Sequence, residues 1–152
     1  MGRHKPKIAQ YSGSPGKKQV YTTPVSNIKN AHLGGDPGTT QKAPLAWNFH
    51  LMDEGGPWAC SLKALETYKN RLYRFEGQTV NEIFNPGSGN RHSHPTGKHN
   101  ISEAAQARLN TLNIDGSVLY QLPLGQIPRL WGVLQHNIFH ILWLDEKHEI
   151  CP

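Results

Sequence analysis

Arg129-Leu130-Trp131-Gly132-Val133-Leu134-Gln135-His136-Asn137-Ile138-Phe139-His140-Ile141-Leu142-Trp143-Leu144-Asp145 is the stretch that decides the fold. Two apolar runs flank His136-Asn137, the arrangement of a β-hairpin closed by a two-residue turn. Asn suits the positive φ that such turns demand, and His at the first position suits it less well. Counting inward from the turn sets Val133 opposite His140, Trp131 opposite Leu142 and Arg129 opposite Leu144, all on one side. The other side carries Leu130, Gly132, Leu134, Phe139, Ile141 and Trp143. That face is wholly apolar, so it is the expected core, where each large side chain contributes about 1.5–3 kcal/mol on burial.

The first face is mixed. Helices on one side of a sheet leave the other partly open to solvent. Such a face could hold a nucleotide, with Trp131 stacking a base, Arg129 meeting a phosphate and His140 moving a proton. A hydrogen-bonded histidine in a half-buried strand accounts for His140 equally well.

Upstream, residues 117–122 form a further strand of the meander, and His148-Glu149-Ile150 a last short piece. Ser102 to Leu112 reads as a helix, with Asn100 and Glu103 as a reciprocal cap and Ala104, Ala105 and Leu109 facing inward. A second short helix starts at Thr79-Val80-Asn81-Glu82, which has capping-box spacing. Leu62, Leu65, Tyr68, Leu72 and Phe75 recur every three or four residues, predicting one amphipathic helix over 61–75 with Ser61 as N-cap. Trp47, Phe49 and Leu51 alternate with polar residues, which is a strand pattern. The expected fold is α+β: a small antiparallel sheet, the C-terminal strand meander, packed on one face by two to three helices.

The net charge of +5 is unevenly placed. Residues 1–44 hold seven Lys or Arg against one acid, a balance of +6, and residues 45–152 hold nine against ten, a balance of −1. The first 44 residues are rich in Gly, Pro, Thr and Lys and read as a basic, flexible arm, with one short strand near Gln19 to Thr23. They serve either as a solvated linker or as an arm that orders on a partner or on RNA. Residues 45–152 read as a single domain. No apolar run approaches a membrane span and the N-terminus lacks a signal-peptide core, so a cytoplasmic protein without a membrane partner is expected. Cys60 and Cys151 could pair, but are expected as free thiols.

The segment from Ser88 to Asn100 reads as a loop, with no aliphatic residue and three of the nine histidines. His94, Arg91 and Lys98 make it a candidate RNA-contacting loop, the cations reaching phosphates. His92, His94 and His99 offer zinc-ligand chemistry, with Cys60 as a fourth ligand only by accident of the fold. A solvated surface loop explains the same residues, and no metal is assigned. Near the C-terminus, Asp145, Glu146 and Glu149 bracket His148, a candidate general acid or an ordinary charged turn. No phosphate-cradling loop, dinucleotide fingerprint or nucleophile elbow is present, so no cofactor is expected.

The order of elements over the last fifty or so residues resembles RelE/ParE-like bacterial toxins: helix, strand, glycine, arginine-bearing strand, tight turn, apolar strand and a closing histidine segment. Here these are residues 102–112, 117–122, Gly125, Arg129-Leu130-Trp131-Gly132-Val133, 138–144 and His148-Glu149-Ile150. The C-terminal half also looks like a group of small uncharacterised bacterial proteins. The toxin resemblance implies a metal-independent endoribonuclease acting on ribosome-bound mRNA and neutralised by an antitoxin protein. In it Arg129 matches the family's strand arginine and His148 its near-terminal polar position. The alternative is a non-enzymatic interaction protein whose basic arm and mixed sheet face bind a protein or nucleic-acid partner.

Overall fold

The computed structural model describes residues 41–85, 87 and 92–152; the strand expected near Gln19 to Thr23 and Arg91 lie outside them. Five strands form one sheet: β1 (Ala46–Asn48), β2 (His94–Gly97), β3 (Val118–Pro123), β4 (Arg129–Gln135) and β5 (Ile138–Asp145), in the order β1-β5-β4-β3-β2. The α+β class is as expected, but the sheet is mixed, because β1 runs parallel to β5 while the other pairs are antiparallel. The helices are α1 (Leu62–Glu66), α2 (Lys69–Glu76), α3 (Val80–Phe84) and α4 (Glu103–Thr111).

The hairpin closes at His136-Asn137 as counted. Its positive φ of 56° falls on His136, while Asn137 donates its side-chain amide to the Pro44 carbonyl at 2.9 Å. Register agrees with the count at Val133–His140 and then slips. A β-bulge lies between Trp131 and Gly132, so that Trp131 pairs with Trp143 and Arg129 with Asp145. Leu142 is the extra residue, and beyond it the faces exchange. Trp143 therefore joins Trp131 and Leu142 on one face, and Leu144 joins Leu130 on the other, the reverse of the sequence count. A tertiary contact meets the bulge: the Leu142 carbonyl accepts the backbone N–H of Asp53 at 3.0 Å.

The expectation of an open mixed face is corrected too. Helices α1, α2 and α3 cover one face, burying Leu65, Phe75 and Ile83 against Leu130, Phe139 and Ile141. On the other face Ala105 and Leu109 of α4, with Trp58, Ile101 and Ile150, pack on Trp131, Val133, Leu142 and Trp143. That face carries enough apolar surface (Leu119, Trp131, Val133, Leu142) to require a cover of its own.

Local differences have local reasons. The helix expected over 61–75 is two helices, because Tyr68 takes φ −105° and ψ 9°, and its N–H bonds to Leu65 O rather than to the residue four back. Ser61 caps α1 and the Thr79–Glu82 capping box is complete. Helix α4 is capped by Ser102, not Asn100, and Ala104 is exposed. The strand pattern of Trp47 to Leu51 ends at Asn48, where a turn begins. The stretch read as loop contains β2, paired to β3 as an edge strand, where Pro95 lacks an N–H without harm. His148-Glu149-Ile150 is not a strand: the Asp145 carboxylate accepts the N–H groups of Glu149 and Ile150 at 2.9 Å each.

Candidate functional site: an open apolar groove

The residues that read as a site on the hairpin are not assembled into one. Trp131 is wholly buried and its indole ring faces α4, with no path for a base to stack. Arg129 is 5% exposed. Its Nη1 donates to the carbonyls of Gln126, Ile127 and Pro128 at 3.0–3.1 Å, closing the β3–β4 connection. Burial lowers the pKa of this guanidinium, opposed by the Asp145 charge nearby. His140 sits opposite Val133, four residues along β4 from Arg129, so roughly 13 Å separates them. His140 is half-buried, and burial with the neighbouring His50 lowers its pKa. His148 lies at the Arg129 end of the sheet, at a turn with φ 61°. The arginine and one histidine thus share an end, with Asp145 between them and its carboxylate already engaged.

Across the sheet, His94, Gln121, Trp131 and Trp143 stand in one row. The exposed His94 ring has Nδ1 at 3.1 Å from Pro95 O and 3.3 Å from Thr96 Oγ1, and its Nε2 meets the Gln121 amide. Lys98 reaches Asn110 Oδ1 at 2.9 Å. His94 and Lys98 are therefore surface groups of the β2 edge, remote from His140. Among the described residues, no three His, Cys, Asp or Glu side chains gather as a metal cage. Cys60 and Cys151 are free thiols, and burial pushes Cys60 up to about 12.

Two features escaped the sequence reading. The first is an ionic pin between buried Asp53 and the partly exposed Arg108. Asp53 accepts Arg108 Nε at 2.8 Å and Nη2 at 2.6 Å, Trp143 Nε1 at 3.0 Å and Gly55 N at 3.1 Å. Burial raises the Asp53 pKa, but these donors outweigh it and hold the carboxyl below the usual range. The pin joins the 49–60 loop, the bulged β5 and α4, and every oxygen is used, so its role is architectural. No local signal marks it, because Asp53, Arg108 and Trp143 meet only through the fold.

The second is a groove of about 790 Å³ between β1 and the first two helices. Leu45, Trp47 and Phe49 form one wall, and Leu62, Leu65, Leu72 and Tyr73 the other. Of the five large apolar side chains exposed among the described residues, Phe49, Leu62 and Tyr73 line this groove. Glu66, Lys69 and Glu76 stand along it, a net acidic lining. Among the described residues, no strand pairs with β1 on the side away from β5. Ala46 N bonds to Asn137 O, and in a parallel ladder alternate residues face the partner, so Trp47 directs its N–H and C=O away from β5.

No described helix is long and apolar enough to cross a membrane. Comparison with protein-family models, with curated proteins and with solved structures found no match.

Proposed function

We propose that the chain is a protein-interaction module that takes up an extended protein segment in the β1–α1–α2 groove. The observation that carries this is the clustering of Phe49, Leu62 and Tyr73, exposed and contiguous with the β1 edge of the sheet. An unpaired edge adds a strand through main-chain hydrogen bonds, while flanking pockets select alternate side chains. The occupant that fits presents apolar or aromatic side chains to the groove and basic residues to Glu66 and Glu76. Burial of Arg129, Trp131 and Val133 on the mixed hairpin face favours the sheet edge over that face in this reading.

A second reading, an mRNA endoribonuclease held by an antitoxin and acting on ribosome-bound RNA, draws on one observation. His94 is exposed, its ring is oriented by Pro95, Thr96 and Gln121, and Lys98 lies close along the chain.

Tagged full-length chain expressed in bacteria separates the two, comparing wild type with His94→Ala and Leu62→Glu/Tyr73→Glu. The interaction reading expects intact mRNA in all three. It also expects one protein bound by wild type and His94→Ala, lost from the groove variant, and rebinding in purified form at fixed stoichiometry. Loss of mRNA in the wild type, abolished by His94→Ala, would overturn it in favour of the nuclease.

A further inference from the structure

Resting on the groove as a docking site, we infer that its resident occupant is the chain's own N-terminal segment, Lys17 to Val25, bound within the same molecule. The chain enters the described fold at the lip of the groove. Val80 N bonds to Ala43 O at 3.2 Å, Leu45 N to Gln78 O at 3.0 Å and Asn137 Nδ2 to Pro44 O at 2.9 Å. Leu45 itself lines the groove. Forty residues precede Gln41, and every one of them is tethered at that point.

Among these residues, Gln19-Val20-Tyr21-Thr22-Thr23 is the stretch richest in strand-forming side chains, preceded by Lys17-Lys18 and followed by Pro24-Val25. It has the chemistry the groove asks for. Tyr21 and Val25, which share one side of an extended chain, are the aromatic and apolar partners for Phe49, Leu62 and Tyr73, and the lysine pair answers Glu66 and Glu76. The Trp47 edge supplies main-chain partners for a strand that Pro24 then terminates. The wider charge division agrees: the first 44 residues carry +6 and the remainder −1.

Reach is not limiting. The seventeen residues from Val25 to Gln41 span at most roughly 55–60 Å. Tethering also places the segment at an effective concentration on the order of millimolar, so modest intrinsic affinity keeps the groove filled. A partner protein must then displace the segment, which makes residues 17–25 a built-in competitor that sets the threshold for binding.

The test is a photo-crosslink in the purified full-length chain carrying Tyr73→p-benzoylphenylalanine, an exposed position where the larger ring disturbs no core. Irradiation at low protein concentration, followed by peptide mapping, is expected to join position 73 to residues 17–25 of the same molecule. The same label at Ile127, exposed but outside the groove, should give no such product. Adding Phe49→Glu and Leu62→Glu, with an unchanged melting temperature as control, should remove it. Crosslinks only between two copies, or only to residues other than 17–25, overturn the inference and leave the groove as a docking site. Absence of any crosslink from position 73, in cells as well as in purified protein, overturns both.

Discussion

The α4-covered face of the sheet and the β1 groove invert what their residues suggest. Arg129, Trp131 and His140 are the residue types of a nucleotide site, yet Trp131 lies under α4 and the C-terminal segment, where it fills a core. Arg129 is spent on the β3–β4 connection, and His140 stands half-buried beside His50. Leu62 carries the periodicity of a helix facing a core together with Leu65 and Leu72, yet it stands exposed on an open groove beside Phe49 and Tyr73. Residue type states which chemistry is available, and exposure decides whether it can be used. Here the polar side chains of the hairpin are spent on architecture, and the apolar side chains of Phe49, Leu62 and Tyr73 are left exposed.

The closed face should be sensitive wherever its polar fastenings are cut. Asp53→Ala removes the acceptor of Arg108, Trp143 and Gly55 and leaves a cation without its partner. Arg108 is a quarter exposed and regains water, so a loss of about 2–3 kcal/mol is expected in denaturant unfolding. Because the Asp53 pKa is lowered in the fold, its stabilisation is present above the ordinary carboxylate value of 3.8 and lost as pH falls through the folded value. The Asp53→Ala variant should lack that acid-side decline; an unchanged unfolding midpoint would make the pin dispensable and weaken the contrast between the two regions.

Next comes the bulge. A Cβ at Gly132 would run into the His140 carbonyl and the Phe139 ring. Gly132→Ala should therefore cost about 1–3 kcal/mol, measured by thermal melting. A variant that melts with the wild type would show that the hairpin can slide, and with it the assignment of residues to faces.

A smaller, pH-dependent effect belongs to His140. Its pKa is lowered from 6.5 in the fold, so protonation favours the unfolded chain. Stability should hold above that value and decline as pH falls below it, and His140→Gln should flatten this part of the profile. If the wild-type midpoint rises on acidification from neutrality to pH of about 5.5, the imidazole has a charge partner and His140 returns as a functional candidate.

Much of the fold was legible because period-two alternation needs only local sequence. Leu130, Leu134, Phe139 and Ile141 fall on one face as read, and the Ser61 and Thr79–Glu82 caps form as spaced. The misreadings of the hairpin and of β2 fall at distant contacts. The bulge at Leu142 meets Asp53, and strand β2, with His94 and Pro95 in place of strand formers, pairs with the edge of β3. The groove stayed hidden because Leu62 shares the period of Leu65, Leu72 and Phe75, which reads as core, while the stripe is broken at Tyr68 and Leu62 is exposed.

Parallel thermal melts of full-length Trp131→Ala and Leu62→Glu/Tyr73→Glu test the inversion most directly. Trp131→Ala empties a fully buried site and should cost about 3–5 kcal/mol, lowering the melting temperature by roughly 10 °C or more. The groove variant changes only exposed side chains and should melt within about 2 °C of the wild type. A Trp131→Ala protein that melts like the wild type, beside a groove variant that unfolds early, would contradict the account: the hairpin face would then be the open surface and the groove the core.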